Sequence, residues 1–375
     1  LVIFILYFTL VFLIGWVSLK KTQSESDYWI AGGKMGWLVG GATLSATHTS
    51  AGTFIGTIGV IYTAGWSFGW LVFAVVLAYW FTAAFLAPRF VRVKELTLPA
   101  FLQRRYYGKT PRGIGAGIIL IATMVYIQAQ IIAGGLVAQV IFGISPDTGM
   151  VIFTFILIGY TMIGGMIAVA YTDFLQLVIM VTGALVSVPV AVSHFDGFFD
   201  LLHAAQAMNP VTFSWEGFSG PLLFTMGLAF FLGGIATPEK LTRLYAMRDM
   251  RTIRRAILLT ILLVTGLNLC VFLLGLAGIS MFPLLPKGDL AMPMIAKALL
   301  PSFTGTIMLA AITSAMMSTV DSLLLVAGSA LSEDLYQTFI HPAASRKARM
   351  RVARTGILIV GSLPLGSIWL GWSQG

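Results

Sequence analysis

Charged residues are scarce in this sequence: Asp, Glu, Lys and Arg make up 10% of its 375 residues, whereas hydrophobic residues make up 58%. An ordinary soluble domain is about 25% charged, and the mean hydropathy of this chain is +0.92. A water-soluble fold is therefore excluded. Cysteine is nearly absent too. Because Cys270 is the single cysteine, an internal disulfide and a Cys/His metal site are excluded as well.

Apolar runs long enough to cross a bilayer recur along the whole chain, with short polar gaps between them. They predict one all-helical membrane domain over residues 1–375 rather than several soluble domains. Two amphipathic segments, 96–107 and 198–207, are expected to lie along the membrane surface. The ten predicted spans are 1–19, 37–63, 66–88, 113–143, 148–165, 170–193, 219–238, 256–281, 299–332 and 355–372.

Basic residues dominate the charge: the formal net charge is +9, and 21 of the 23 Lys and Arg residues fall in four clusters. A nucleic acid needs one continuous basic patch, whereas these clusters interrupt apolar segments, so no nucleic-acid partner is predicted. An even number of spans separates each cluster from the next, and the positive-inside rule then makes their common side cytoplasmic. The N-terminus is therefore predicted outside. The clusters are Lys20 to Lys34, Arg89 to Arg112, Lys240 to Arg255 and Arg346 to Arg354.

Two spans carry helix-breaking residues inside the membrane, where a helix needs its backbone hydrogen bonds. The span 37–63 contains SATHTSAGTFIGTIG, and the span 219–238 ends with Gly233, Gly234 and Pro238. The two spans enter the membrane from opposite sides, as expected for inverted repeats with a solute and ion site between interrupted helices. Close helix packing through small residues is the alternative interpretation.

Only two acidic residues, Asp173 and Asp321, fall within apolar runs. A carboxylate in a bilayer usually faces an ion, a partner or water, although Asp173 could instead cap a helix. The span 299–332 also carries a stripe of small and hydroxyl residues at helical spacing, and sodium is bound by oxygen ligands of this kind. Helix packing and hydroxyls bonded to the preceding turn are the alternative. The stripe consists of Ala315, Ser318, Thr319 and Ser322.

Three stretches resemble the sodium/solute symporter family in order and spacing: DYWIAGGKMGW, SATHTSAGTFIGTIGVIYTAGW and AMMSTVDSLLLVAGSALSEDLY. The resemblance extends over the whole chain. It implies a LeuT-like fold of two inverted five-helix repeats preceded by one extra helix, residues 1–19. The first repeat would span residues 37–193, and the second, with its last core helix missing, residues 219–372.

The resemblance also implies two sodium sites. The family's principal site uses backbone carbonyls of core helix one together with carbonyl and hydroxyl oxygens of core helix eight. Its motif places these ligands at Ala46, Thr49, Ala315, Ser318 and Thr319. Some members bind a second sodium ion, and Asp321 stands where the best matching pattern has a hydroxyl. The matching positions for that second site are Asp173, Ser318, Asp321 and Ser322.

Solute contacts in the family lie on core helices one and six, and the set in this chain lacks the polar groups expected for a sugar. Pantothenate, monocarboxylate and proline carriers are therefore more similar. The matching positions are His48, Ser50, Thr53, Phe230 and Gly233.

Together these features predict a sodium-coupled symporter in the cell membrane that brings a small organic solute inward by alternating access. An enzyme is not predicted, because no base, nucleophile and orienting group can be assembled from these residues. A pump is disfavoured because the GKT at residues 108–110 follows Gln103 where a phosphate loop needs Gly. A transporter-like sensor domain and a channel remain the alternatives, and the oligomeric state is left open.

Overall fold

The structure, a computed structural model, describes residues 2–93, 95–282, 284, 285 and 288–371. These residues form helices and no strand; an isolated backbone bridge joins Met35 to Met247. The helices are α1 Val2–Lys21, α2 Glu25–Ile30, α3 Trp37–His48, α4 Thr57–Ala64, α5 Trp70–Phe81, α6 Ala87–Val93, α7 Leu98–Tyr106, α8 Lys109–Phe142, α9 Pro146–Val192, α10 Phe198–Met208, α11 Gly220–Ala236, α12 Pro238–Ala246, α13 Met250–Met281, α14 Ala291–Met294, α15 Ser302–Ser329 and α16 Arg346–Trp369. Short π-helical segments, Gly52–Gly56, Thr82–Leu86, Ile295–Leu299 and Ala330–Ile340, adjoin α4, α6, α14 and α15.

Eight helical segments in the described part of the chain are long and apolar enough to cross a membrane. They account for eight of the ten predicted spans. A ninth, predicted at 148–165, corresponds to the shorter apolar helix Pro146–Met162. The tenth, predicted at 37–63, is divided between α3 and α4 because its helix is broken in the middle. The two predicted surface segments form α7 and α10.

Two helices begin well before their predicted apolar spans. The predictions place their starts at residues 256 and 355, whereas α13 begins at Met250 and α16 at Arg346. Each start has a side-chain cap: Asp249 accepts from the Thr252 amide at 2.7 Å, and Ser345 accepts from the Ala348 amide at 3.3 Å. Lys and Arg are good helix formers, so a capped helix continues through a basic segment that hydropathy alone assigns to a loop.

The helix α9 consists of two helices that meet at Gly165, where φ is 61° and ψ is −162°. This backbone conformation favours glycine. A Cβ at this position would also lie 2.7 Å from the Tyr28 carbonyl oxygen. The kink at Gly165 redirects the second half of α9, which carries Asp173.

The centre of the bundle is α15, whose apolar window is completely buried. It packs against α9, α8, α16 and α3. Small residues allow the close approach, because a Cβ on Gly183 of α9 would lie 2.8 Å from the Cβ of Ala311. α1 joins α9 through a buried stripe at helical spacing that includes Phe4, Tyr7 and Val11. The hydroxyl residues of α15 are thereby held inside the protein, facing α3.

Candidate functional site

The first break lies immediately after α3. Thr49 is extended, with φ −82° and ψ 110°, and its amide makes the last bond of the helix, to Ser45 at 3.0 Å. The chain resumes a helical course at Ala51, which leads into the π-helical segment Gly52–Gly56. A break at this depth frees backbone groups that need other partners. It is the interruption predicted from the Gly, Ser and Thr content of the span 37–63.

Side chains satisfy the freed amides of this break. The buried Gln130 of α8 accepts from the Ala51 amide at 3.0 Å. The Ser50 hydroxyl accepts from the Gly52 amide at 3.1 Å, and Thr53 accepts from the Ser50 amide at 3.3 Å. These bonds hold the extended backbone in place while the carbonyls of α3's last turn point toward α15.

Five buried oxygen-bearing groups meet where the end of α3 contacts α15. The Ser318 hydroxyl donates to the Ala46 carbonyl at 2.9 Å and contacts the Ala315 carbonyl at 3.2 Å. The Thr319 hydroxyl lies 3.4 Å from the Thr49 carbonyl and 3.0 Å from the Ala315 carbonyl. None of the five residues is more than 1% exposed. We call this set the oxygen cluster; it contains the five positions that the family motif marks for the first sodium ion.

The chemistry of the oxygen cluster suits a small hard cation. Three backbone carbonyls and two hydroxyls are neutral oxygen donors, and each hydroxyl that donates its proton to a carbonyl keeps lone pairs for an ion. Because none of these five donors carries a formal charge, the binding of an ion would depend on the geometry of its ligands rather than on ion pairing. That these groups bind sodium stays a prediction.

The second break separates α11 from α12 at Thr237, which has φ −64° and ψ 119°. Gly233 and Gly234 remain helical, so the interruption follows the glycines instead of falling on them. Pro238 explains its position, because proline disfavours a helical conformation in the preceding residue. Thr237 serves both helices: its amide and hydroxyl bond to the Gly233 carbonyl at 3.2 and 3.0 Å, and its carbonyl accepts from the Lys240 amide at 3.2 Å.

A cavity of about 740 Å³ lies between the two breaks. Aromatic and aliphatic side chains form most of its wall, and a few polar groups converge at the level of the breaks, as in many small-molecule sites. All five predicted solute positions line it: His48, Ser50, Thr53, Phe230 and Gly233. Thr47 and His48 belong to the same turn of α3 as Ala46, so the cavity and the oxygen cluster share this turn. The role of the five residues in solute binding stays a prediction.

The sequence pattern misses Glu239 and Lys240, which lie on the same cavity wall in the first turn of α12. It predicts Lys240 and Arg243 only as members of a cluster on the cytoplasmic side, and their place inside the bundle is not part of that prediction. Arg243 is completely buried. The available signal is Pro238: a proline at the end of a glycine-rich span marks a break, so the following turn is still inside the bundle.

The buried Arg243 ties four helices together. Its guanidinium donates to Asp173 of α9 at 2.9 Å, to Thr43 of α3 at 2.7 Å and to Ser322 of α15 at 2.5 Å. It also donates to the Glu239 carbonyl of its own helix at 2.7 Å. Thr43 donates to the same Asp173 carboxylate. A guanidinium with this many partners is well suited to burial.

The four positions matched to a second sodium site lie around this guanidinium. Asp173 and Ser322 both bond to Arg243, and the Ser322 hydroxyl lies 2.6 Å from the Ser318 carbonyl. Asp321 is joined to this group through Ser322: its carboxylate accepts from the Ser322 hydroxyl at 3.2 Å and from the Tyr160 hydroxyl at 2.9 Å. The arginine therefore already supplies one positive charge at this place, and a second sodium ion bound here would have to share its ligands.

A smaller cavity of about 370 Å³ adjoins the first on the side of α7 and the start of α8. Tyr126, Gly233, Thr237 and Glu239 line both cavities. These four residues therefore form the partition between the two spaces.

Comparison with known proteins identifies relatives over almost the whole chain. The model of the sodium:solute symporter family matches residues 28–375. The osmoregulated proline transporter OpuE of Bacillus subtilis (strain 168) is 30% identical over 368 residues, covering 95% of this chain and 74% of OpuE. The high-affinity proline transporter PutP of the same organism is 30% identical over 374 residues, covering 95% of this chain and 78% of PutP.

A solved structure confirms the predicted LeuT-like fold. It is a Na+-coupled sialic acid symporter in a substrate-bound outward-open state, and it matches with a TM-score of 0.87 at 21% identity. The match covers 98% of this chain and 81% of that one. The family resemblance found in the sequence motifs is confirmed as well.

Proposed function

This chain belongs to the sodium:solute symporter family, and on that premise we propose that sodium binds at the oxygen cluster while a small organic solute occupies the adjoining cavity. Sodium-coupled symport of a small solute is the function of the protein, with sodium as the coupling ion. The proposal assigns this function to particular residues. The ligands for sodium are Ala46, Thr49, Ala315, Ser318 and Thr319, and the solute positions are His48, Ser50, Thr53, Phe230 and Gly233.

One observation carries the proposal: a single turn of broken backbone serves both sites. Ala46 and Thr49 direct their carbonyls toward α15, at 2.9 Å from Ser318 and 3.4 Å from Thr319. Between and beside them, His48 and Ser50 line the cavity. An ion that fixes this turn against α15 therefore also fixes two residues of the solute site.

The coupling follows from this shared turn. Sodium must bind the outward-facing state more tightly than the inward-facing one, because a ligand with equal affinity for both shifts no equilibrium. Joining α3 to α15 completes the solute site in the state that sodium favours. A membrane potential that is negative inside contributes about 2.3 kcal/mol per charge per 100 mV to the entry of the ion. Opening of the partition at α12 then releases both ligands to the cytoplasm.

The solute is proposed to be proline or another small solute of similar size. OpuE and PutP are both described as proline transporters, so proline is the first solute to test. Pantothenate and monocarboxylates are the next candidates, from the sequence motifs.

Uptake into vesicles tests the function directly. Vesicles containing the protein are expected to accumulate labelled solute above its external concentration only when an inward sodium gradient is imposed, because the gradient supplies the free energy. Replacing sodium by potassium on both sides is the matched control. Flux that ignores the sodium gradient would indicate a channel, and binding without flux would indicate a sensor domain.

The charge pattern also supports a topology, with the N-terminus outside and the protein in the cell membrane. In a Cys270→Ser background, Asp196→Cys is expected to react with a membrane-impermeant maleimide in intact cells, whereas Gln23→Cys is expected to react only after permeabilisation. Both positions are exposed. The background protein without an added cysteine is the control, and the reverse labelling pattern would overturn the proposed orientation.

Catalysis is not part of the proposal. Residues Gly65–Gly69 match the Gly-x-Ser-x-Gly pattern of serine hydrolases. Ser67, however, is completely buried, and its hydroxyl donates to the Ala64 carbonyl at 2.9 Å. A hydroxyl held in this way does not face a substrate.

A further inference from the structure

Two charged side chains of opposite sign, Glu239 and Lys240, lie side by side on the wall of the solute cavity. Neither belongs to an ion pair within 4.0 Å in the described part of the chain. No described donor bonds to the Glu239 carboxylate either, although the residue is only 3% exposed. Its carboxylate therefore faces the cavity without a partner from the described residues.

Such a carboxylate favours a cationic partner. Taking an ionised group out of water is costly unless a charge or several hydrogen bonds compensate it. Glu239 lies at the N-terminal end of α12, and the helix dipole favours an acidic group there. The dipole offsets only a small part of the cost of burial, because its effect is much weaker than an ion pair in the same surroundings. The Glu239 carboxylate oxygens are not among the fully buried atoms that lack a partner, so a cation that enters the cavity can pair with them.

Lys240 is the complementary group. Its ammonium lies 3.2 Å from Nδ1 of His48 and 5.6 Å from the centre of the Tyr79 ring. The imidazole nitrogen accepts one of the three ammonium hydrogens, and the ring face adds an electrostatic attraction. The ammonium keeps further hydrogens to donate. His48 is also a predicted solute position, so the lysine is held at the place where the solute is expected.

We propose that the solute is a zwitterion, an amino or imino acid whose carboxylate binds Lys240 and whose ammonium group binds Glu239. The inference rests on the proposed function and adds the chemical class of the solute and the two residues that select it. A zwitterion gives each of the two charges an opposite charge and leaves the site neutral. The apolar part of the solute then lies against the aromatic wall that includes Trp66, Phe68 and Phe230.

Solutes of other classes fit this pair of charges less well. A monocarboxylate pairs with Lys240 but leaves Glu239 without a partner and repels it. An amine pairs with Glu239 but leaves Lys240 without a partner and is repelled by it. A neutral sugar or polyol pairs with neither charge. Because specificity is a difference of affinities, the unpaired charge discriminates against all three.

Ligand-dependent thermal stability of the purified full chain tests the inference, since a ligand that binds the folded state raises its melting temperature. The probes are the twenty common L-amino acids, together with a matched trio in which L-proline is compared with cyclopentanecarboxylate, which lacks the amine, and pyrrolidine, which lacks the carboxylate. In sodium chloride we expect at least one amino acid to stabilise the protein, with at least tenfold weaker binding of its analogues that lack one charge. Equal binding of the deaminated acids would overturn the zwitterion inference while leaving the proposed function intact.

Two substitutions identify the residues. In Glu239→Gln, the affinity for the amino acid is expected to fall at least tenfold while that for the matching carboxylic acid is unchanged or higher. In Lys240→Gln, both affinities are expected to fall. Glu216→Gln, which makes the same change at an exposed glutamate outside both cavities, is the matched control and is expected to bind like the unaltered protein.

Sodium binding separates this inference from the proposed function. Stabilisation by sodium chloride relative to potassium chloride is expected to persist in both variants, because neither residue belongs to the oxygen cluster. Unchanged amino-acid affinity in both variants would overturn the assignment of Glu239 and Lys240. If sodium stabilised the protein but no amino acid did, the zwitterion inference would be overturned and the sodium site would be unaffected. If sodium did not stabilise the unaltered protein, the result would count against the proposed function itself.

Discussion

Replacing Ser318 and Thr319 together by alanine is expected to raise the sodium concentration for half-maximal uptake by about 100-fold. The substitutions remove both hydroxyl oxygens of the oxygen cluster and leave its three carbonyls. A hydrogen-bonding contact to a charged group contributes about 1.5–3 kcal/mol, and each 1.4 kcal/mol corresponds to about tenfold in affinity. Two lost ligands therefore correspond to about 100-fold or more. The measurement is the initial rate of solute uptake over a series of sodium concentrations.

The matched control for this prediction is Thr313→Ala. Thr313 lies on the same helix, is also buried, and its hydroxyl donates to the Leu309 carbonyl of the preceding turn at 2.9 Å. It therefore reproduces the loss of a back-bonded hydroxyl without touching the oxygen cluster. We expect its sodium dependence to match that of the unaltered protein. If the double variant also kept the original sodium dependence, the five assigned ligands would be the wrong ones.

Arg243→Leu is expected to destabilise the protein by about 3–5 kcal/mol, the cost of breaking a buried ion pair by removing one partner. The change leaves the fully buried Asp173 carboxylate without its cation and removes the bonds that join α12 to α3 and α15. The expected result is a melting temperature several degrees lower and little or no transport. Thermal unfolding of the purified variant and solute uptake into vesicles measure the two effects.

A second variant tests the reason for that loss. Adding Asp173→Asn to Arg243→Leu removes the uncompensated carboxylate, so a substantial part of the lost stability is expected to return. Arg248→Leu is the matched control, because Arg248 pairs with Asp249 at 3.4 Å on the exposed surface, where an ion pair contributes about 0–1 kcal/mol. A melting temperature of Arg243→Leu equal to that of this control would refute the structural role of the buried pair.

Much of the fold was accessible from hydropathy and charge. Apolar length predicted the spans because each membrane helix satisfies its own backbone hydrogen bonds, so a span is a local property of the sequence. Helix ends were less accurate, as at Met250 and Arg346, because capping residues extend helices past the apolar run. The repeat boundaries, 37–193 and 219–372, stay a prediction.

The candidate site was accessible only in part. The breaks near residues 50 and 237 could be expected from Gly, Ser and Pro, and the family motif then marked the oxygen ligands and the five solute positions. The inward position of Glu239, Lys240 and Arg243 was not predicted, because charge is normally a sign of water-exposed loops in a membrane protein. That rule fails where a broken helix continues inside the bundle.

The sequence alone determined that this protein is a bundle of membrane helices with interrupted spans, since its few charges and long apolar runs permit no other way to satisfy the backbone in lipid. Its motifs determined the family. Only the tertiary structure decided which groups meet: that Ser318 lies 2.9 Å from the Ala46 carbonyl, and that Arg243 is buried against Asp173, which is 70 residues away in the chain. Such contacts depend on the dihedral angles at the breaks and on the packing of α3, α9, α12 and α15, and neither is encoded in any short stretch of sequence.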